Sequence, residues 1–297
     1  MGRIRVGISS WADPGLVQSS FYPAGAKMPE ARLKYYASRF SIAEIDSTYH
    51  YFPTQRNLSV WLENTLKGFA FDVKAYSLFT GQPTKFNALP RTIREKYSGQ
   101  IAAKDNVYLH HLPEEAVDEL WGIFIGAVES LRKAERLGAL LFQFPPWFHP
   151  EPRNFDYISR CHERLSQFQL AVEFRAGSWL GQHREQTLKF LREQGISLVC
   201  VDEPQGLKSS VPLVPEVTAP FAMVRFHGRN KENWERGAID AAEKFNYLYS
   251  EDELKEWAPR VLSMAKSSRE LHVIFKNKHE DFPVRNAIQM KELLGIT

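Results

Sequence analysis

With 297 residues, 43% of them hydrophobic and 25% charged, the chain is long enough to bury one large core or two ordinary ones. A net charge of +3 supplies no strong general field for nucleic acid or membrane, and two cysteines without CxxC spacing exclude a disulfide framework or a cysteine-rich zinc site. The opening MGRIRVGISS lacks the apolar run of a signal peptide, and no stretch approaches the ~18 apolar residues of a membrane span, so a soluble cytoplasmic chain with no membrane partner is expected.

Short β-rich runs recur along the chain at residues 4–10, 42–48, 69–75, 139–144, 170–175, 197–202, 221–227 and 271–277. Helical patterns separate most of them. Residues 29–40 place Leu33, Tyr36, Ala37 and Phe40 on one face, and residues 114–136 have the length of a long helix with Gly138 as its C-cap. The stretch 206–220 holds three prolines and leaves little room for a helix. Ser250, followed by Glu253 three residues on, reads as a capping box that opens a helix towards Ser267.

Eight strands alternating with helices predict a single α/β domain over residues 1–297, a (β/α)8 barrel of the TIM type; a doubly wound open sheet is the competing architecture. Two connections, 76–113 and 228–249, are long enough to be lids or irregular insertions. Both follow strand C-termini, the face on which barrels build their sites.

The strand ends carry a resemblance. GISSWADPG followed by SSFYP, then AEIDSTYHYFP, FAFDVKAY, LLFQFPP, AVEFRAGSW, and FAMVRFHGR with the later YLYSEDEL occur in the order of the YecE-like family, domain of unknown function family 72. The resemblance covers almost the whole chain, implies a TIM-type barrel, and brings no established reaction. The chain departs from the family pattern where Ser10 replaces a glycine before Trp11, where Asp46 replaces an asparagine, at Phe79–Gln82, and where Phe275 is followed by Lys276 and Asn277.

Alternate residues of a strand share a face, so Glu44, Asp46 and Thr48 are expected to point one way, as are Glu173 with Arg175, and Arg225 with His227 and Arg229. Lys74, Gln143, Asp202 and Asn277 end other strands, and Trp11 and Trp179 sit just beyond two more. Two roles compete for the charged set: a closed ionic network of Glu44, Glu173, Arg175 and Arg225 plugging the barrel, or a ligand site.

As a site, Arg175, Arg225 and Arg229 with Lys74 suit a phosphate or carboxylate. Trp11, Asp46, Gln143, Trp179 and Asn277 complete the expected substrate-binding set. Glu173 or Glu44 is the candidate base, His227 its acid–base partner, and Asp202 the residue to orient that histidine. Glu44, Glu173, Asp202 and His227 are also of metal-ligating types, but only one clear histidine ends a strand, so no cofactor is expected and a divalent metal is the lesser alternative.

The expected ligand is a small anion such as a phosphorylated sugar or nucleotide, handled by a hydrolase, lyase or isomerase-type barrel. Nucleic acid is the second reading, resting on a basic rim of Lys208, Arg229, Lys231, Arg236, Lys276 and Lys278. A non-catalytic scaffold is the third. The oligomeric state stays open.

Overall fold

Eight parallel strands close into a barrel in the computed structural model, which describes residues 1–101, 105–237 and 240–296. They are β1 (Arg3–Ser9), β2 (Ile42–Ile45), β3 (Ala70–Lys74), β6 (Leu137–Phe144), β7 (Leu170–Phe174), β8 (Ser197–Asp202), β9 (Phe221–Phe226) and β10 (Glu270–Phe275). The two short strands β4 (Thr84–Lys85) and β5 (Asn106–Val107) form an antiparallel pair outside the barrel. Closure joins β1 to β10, with Arg3 opposite Glu270 and Ile8 opposite Phe275. The barrel expectation is met and the open sheet is excluded.

Both faces of the strands are buried, as parallel strands inside a helix ring require. The outward faces pack against the helices in one large apolar cluster, while Ala139, Leu141, Ala171, Val199, Val201, Phe221 and Met223 form a separate one at mid-barrel. Below it lies a polar layer. His272 Nδ1 is 2.9 Å from Asp72 Oδ1, its Nε2 is 3.2 Å from Glu270, and Arg5 pairs with Glu270. Above it lies a second polar layer, built around Arg225.

Several expected boundaries move. The second strand stops at Ile45, because Asp46–Tyr49 tightens into a 3-10 turn, so Thr48 does not continue the pleat; its hydroxyl donates to the Ile45 and Lys74 carbonyls. Helix Pro29–Ala37 is shorter than predicted, though Leu33, Tyr36 and Phe40 are buried as expected. The long helix ends at Lys133 with Ala134 as its cap, not Gly138. Gly138 instead lies in β6, where a Cβ would come within 2.4 Å of Asp72 Oδ1, the oxygen that accepts from the Ala139 amide. The capping box at Ser250 forms as read: its Oγ accepts from the Glu253 amide and the Glu253 carboxylate accepts from its own.

No helix bridges β8 and β9, in keeping with the prolines there. The long connection after β3 carries the β4–β5 pair and a helix, Arg91–Ile101, so it is a folded insertion. The one after β9 carries two short turns of helix, Lys231–Trp234 and Ala241–Lys244, and lies across the barrel mouth. Among the described residues no helix is long and apolar enough to cross a membrane.

Candidate functional site

The upper polar layer is first an ion cluster. Arg225, fully buried, donates from Nε and Nη2 to the two oxygens of Glu44 at 2.9 and 2.7 Å. Its Nη1 donates to Glu173 Oε2 and, at 3.3 Å, to Gln143 Oε1. Ser9 donates to Glu44 at 3.1 Å. The predicted plug therefore exists, and it consumes two candidates: both oxygens of Glu44 are engaged, and four of the five N–H donors of Arg225 are taken. Such a cluster holds because each buried charge meets its opposite.

Next to the plug the accounting is incomplete. Glu173 Oε1 and both ring nitrogens of His227 are buried without a hydrogen-bond partner among the described residues. Nε2 of His227 stands 3.2 Å from that oxygen, close enough for charge to be felt but off the line a hydrogen bond needs. Burial disfavours the charge on Glu173, but the guanidinium groups of Arg225 and Arg175 outweigh it and hold the carboxyl well below its usual range. Burial is the largest influence on His227 and pushes its pKa well down, so the ring is neutral at neutral pH. Buried polar atoms without partners are rare in proteins, and here three of them meet in one pair of side chains.

Arg175 links this pair to the surface. It reaches Glu173 Oε1 at 3.5 Å and bonds Glu203, a buried acid whose pKa is raised chiefly by burial. Its guanidinium lies 5.1 Å from the Trp234 ring centroid and lines a cavity of about 800 Å³. Lys208, Arg236 and Lys244 also line that cavity, together with Ser178 and Trp234. Glu235 is the one carboxylate on the described lining, and it is engaged by the Ser209 amide and hydroxyl. Four cations therefore surround one engaged acid on this lining, which leaves the space with an excess of positive charge. Phe245 packs between the cavity wall and the buried pair, 5.9 Å from Trp234 and 5.7 Å from His227.

The remaining predicted residues fall elsewhere. Asp202 faces outward from the barrel, where it accepts from Arg229, the Tyr249 hydroxyl and the Trp257 indole, so it does not orient His227. Arg229 is held there by Asp202 and Glu253 and is no part of an inner clamp. Lys74 pairs with Asp46 at 3.1 Å, and Asp46 also accepts from Lys278 at 2.7 Å. Asn277 is buried and bonds the Tyr247 carbonyl and Asn286, a structural post under the loop. Trp179 is fully buried and donates to the Phe148 carbonyl. Trp11 lines a second cavity of about 420 Å³ with Ser10, Asp46 and Trp61.

Of the basic rim, Arg229 and Lys278 are tied to carboxylates and Lys276 is buried, which leaves Lys208, Lys231 and Arg236 exposed. The metal-ligand set is split between two faces of the barrel wall; no group of three or more His, Cys, Asp or Glu able to hold a metal occurs among the described residues. Sequence reasoning missed Glu203 as an inner acid. Its register is that of Val199 and Val201, which face inward, while Cys200 and Asp202 face outward; with apolar residues on both registers, the sequence does not distinguish the two.

Comparison with known proteins agrees with this architecture. UPF0759 protein YunF of Bacillus subtilis (strain 168) is 31% identical over 299 residues, spanning 99% of this chain and 95% of that protein. A DUF72 family protein of Thermotoga maritima MSB8 superposes with a TM-score of 0.77 at 32% identity, with 99% of each chain covered. A DUF72 family protein of Enterococcus faecalis V583 superposes at 0.79 with 27% identity, covering 99% of this chain and 96% of that one. The sequence model of the family described as Protein of unknown function DUF72 matches residues 5–297, and the chain belongs to that family.

Proposed function

We propose that this barrel is an enzyme for a small anionic substrate, a phosphorylated sugar or a similar phosphate ester, bound in the cavity that Arg175 and Lys244 line. The observation that carries the proposal is the buried pair that Arg175 links to that cavity: a neutral imidazole and an ionised carboxylate, each with a polar atom that lacks a hydrogen-bond partner among the described residues. Leaving such atoms unpartnered costs about 1–3 kcal/mol each, a cost that a scaffold has no reason to keep. Glu173 serves as base or as the anchor that orients His227, and His227 moves the proton. Glu44 and Arg225 hold Glu173 in place rather than reacting.

The test is thermal stability of the full chain against phosphosugars, nucleotides, inorganic phosphate, divalent metals and short duplex DNA, at low and moderate salt. A ligand at 100 times its dissociation constant adds about 2.7 kcal/mol. The proposal expects stabilisation by phosphate esters that is lost in Arg175→Ala and retained in Arg229→Gln. A response confined to duplex DNA, steeply dependent on salt, would move the site to the exposed rim instead.

A further inference from the structure

Lys276 is the cation of the barrel mouth that the plug does not use. It follows β10, on the inward register of His272 and Ile274, and is 6% exposed. Its neighbours among the cations are each paired: Lys74 and Lys278 with Asp46, Arg175 with Glu203, Arg225 with Glu44 and Glu173. Lys276 has no such partner among the described residues. Its amine lies 5.3 Å from the ring centroid of Phe245, the same ring that touches His227. Lys74, Arg225, Asp46 and Glu173 all act on it electrostatically, and it in turn acts on His227.

A buried ammonium with cations beside it and no carboxylate in ion-pair contact is relieved by giving up its proton. Burial, then Lys74 and Arg225, hold its pKa well below that of an ordinary lysine. An unprotonated amine in an apolar recess beside other cations is the arrangement that makes lysine a nucleophile. A lysine meant only to grip phosphate would need to keep its charge, as Lys278 does beside Asp46 and Asp13.

We propose that Lys276 is the nucleophile of this site and forms an imine with an aldehyde or ketone carried on the phosphorylated substrate. The amine lone pair attacks the carbonyl carbon and the C=O π pair moves to oxygen. Oxygen gains a proton and nitrogen loses one, which gives a carbinolamine; His227 is the neutral group placed to relay it. The nitrogen lone pair then expels the hydroxyl, which takes up a proton and leaves as water, and the iminium nitrogen gives up its remaining proton to balance it. Amine and carbonyl become imine and water, with no oxidant or reductant consumed. The inference rests on the anion-binding reading of the cavity, because the phosphate is what brings the carbonyl to the amine.

The test is trapping. The full chain is incubated with glyceraldehyde 3-phosphate and cyanoborohydride, which adds hydride to the imine carbon and leaves a stable secondary amine, and the adduct is mapped by mass spectrometry. Lys276 is expected to label about tenfold above exposed Lys208, since the fraction of unprotonated amine sets the rate. Excess inorganic phosphate is expected to suppress it, and Lys276→Arg, which keeps the length of the side chain but carries no free amine, to abolish it. Labelling spread over lysines according to exposure, or concentrated on Lys244 at the cavity wall, overturns the proposal. Mapping on the unmodified chain decides this even where the variant does not fold. Thermal stabilisation by inorganic phosphate, which has no carbonyl, reads the cavity alone. Stabilisation without a Lys276 adduct removes the nucleophile and keeps the anion site, whereas neither effect removes both.

Discussion

At Ser10 the backbone turns left-handed, with φ at 73°, just where the family pattern has a glycine. An L-residue there costs about 1–2 kcal/mol, and glycine returns about 0.5–1 kcal/mol of that as chain entropy lost on folding. The strain wins by a small margin, so Ser10→Gly is expected to raise stability by about 0.5–1 kcal/mol, read as a higher urea midpoint at unchanged slope. His227 supports a second expectation. Its depressed pKa keeps the ring neutral, so phosphate-ester turnover should hold as pH falls through about 6.5 and decline only below it. An acid limb at or above that pH would mean that a different group titrates. Which side chains meet at the mouth was partly legible in the sequence. Glu44, Glu173, Arg225 and His227 face inward as their spacing required, but Asp202 and Asn277 were assigned the wrong face. Their strands are buried on both sides, so no alternation of hydrophobicity marks the inside, and Glu203, one residue after Asp202, and Lys276, one residue before Asn277, hold the inward positions.

At the scale of elements, eight strands and the helix-poor β8–β9 connection were readable from β-rich runs and prolines. What was not readable is how the segment after β9 folds back. Its two short helical turns have no periodicity long enough to detect, and Trp234 and Phe245 reach His227 only through tertiary packing. The segment hinges at Gly228, where φ is 89° and a Cβ would meet the Tyr247 Cβ at 2.8 Å. Gly228→Ala is expected to cost about 1–3 kcal/mol of local stability. Limited proteolysis should then nick residues 229–236 sooner while the barrel strands stay resistant; equal cleavage throughout would show the loss to be global.

At the scale of the whole molecule, two buried ion clusters sit at opposite ends of one apolar layer. In the upper one, Arg225→Met is expected to destabilise by about 3–5 kcal/mol by stranding Glu44 and Glu173, and the double variant with Glu44→Leu should recover part of that in urea denaturation. Additive losses would argue that the two residues do not act as a pair. In the lower cluster, burial works against a charged His272, but Asp72 and Glu270 outweigh it and raise its pKa. Its contribution to stability is therefore complete below about pH 6.5, the unfolded value, and disappears as pH rises through the folded one. The gap in Tm between wild type and Asp72→Asn should narrow from about pH 6 to pH 9.

The pairing of β1 with β10 also has a consequence for synthesis. The ring is completed by the last of its eight strands to leave the ribosome, and the His272–Asp72 and Arg5–Glu270 contacts arrive with it. Until then β1 and β9 are open edges, and Arg5 and Asp72 are hydrated charges in an unclosed sheet, which disfavours premature collapse around them. A nascent chain stalled before residue 270 should therefore be digested readily by protease, and resistance should appear abruptly once β10 has emerged rather than strand by strand.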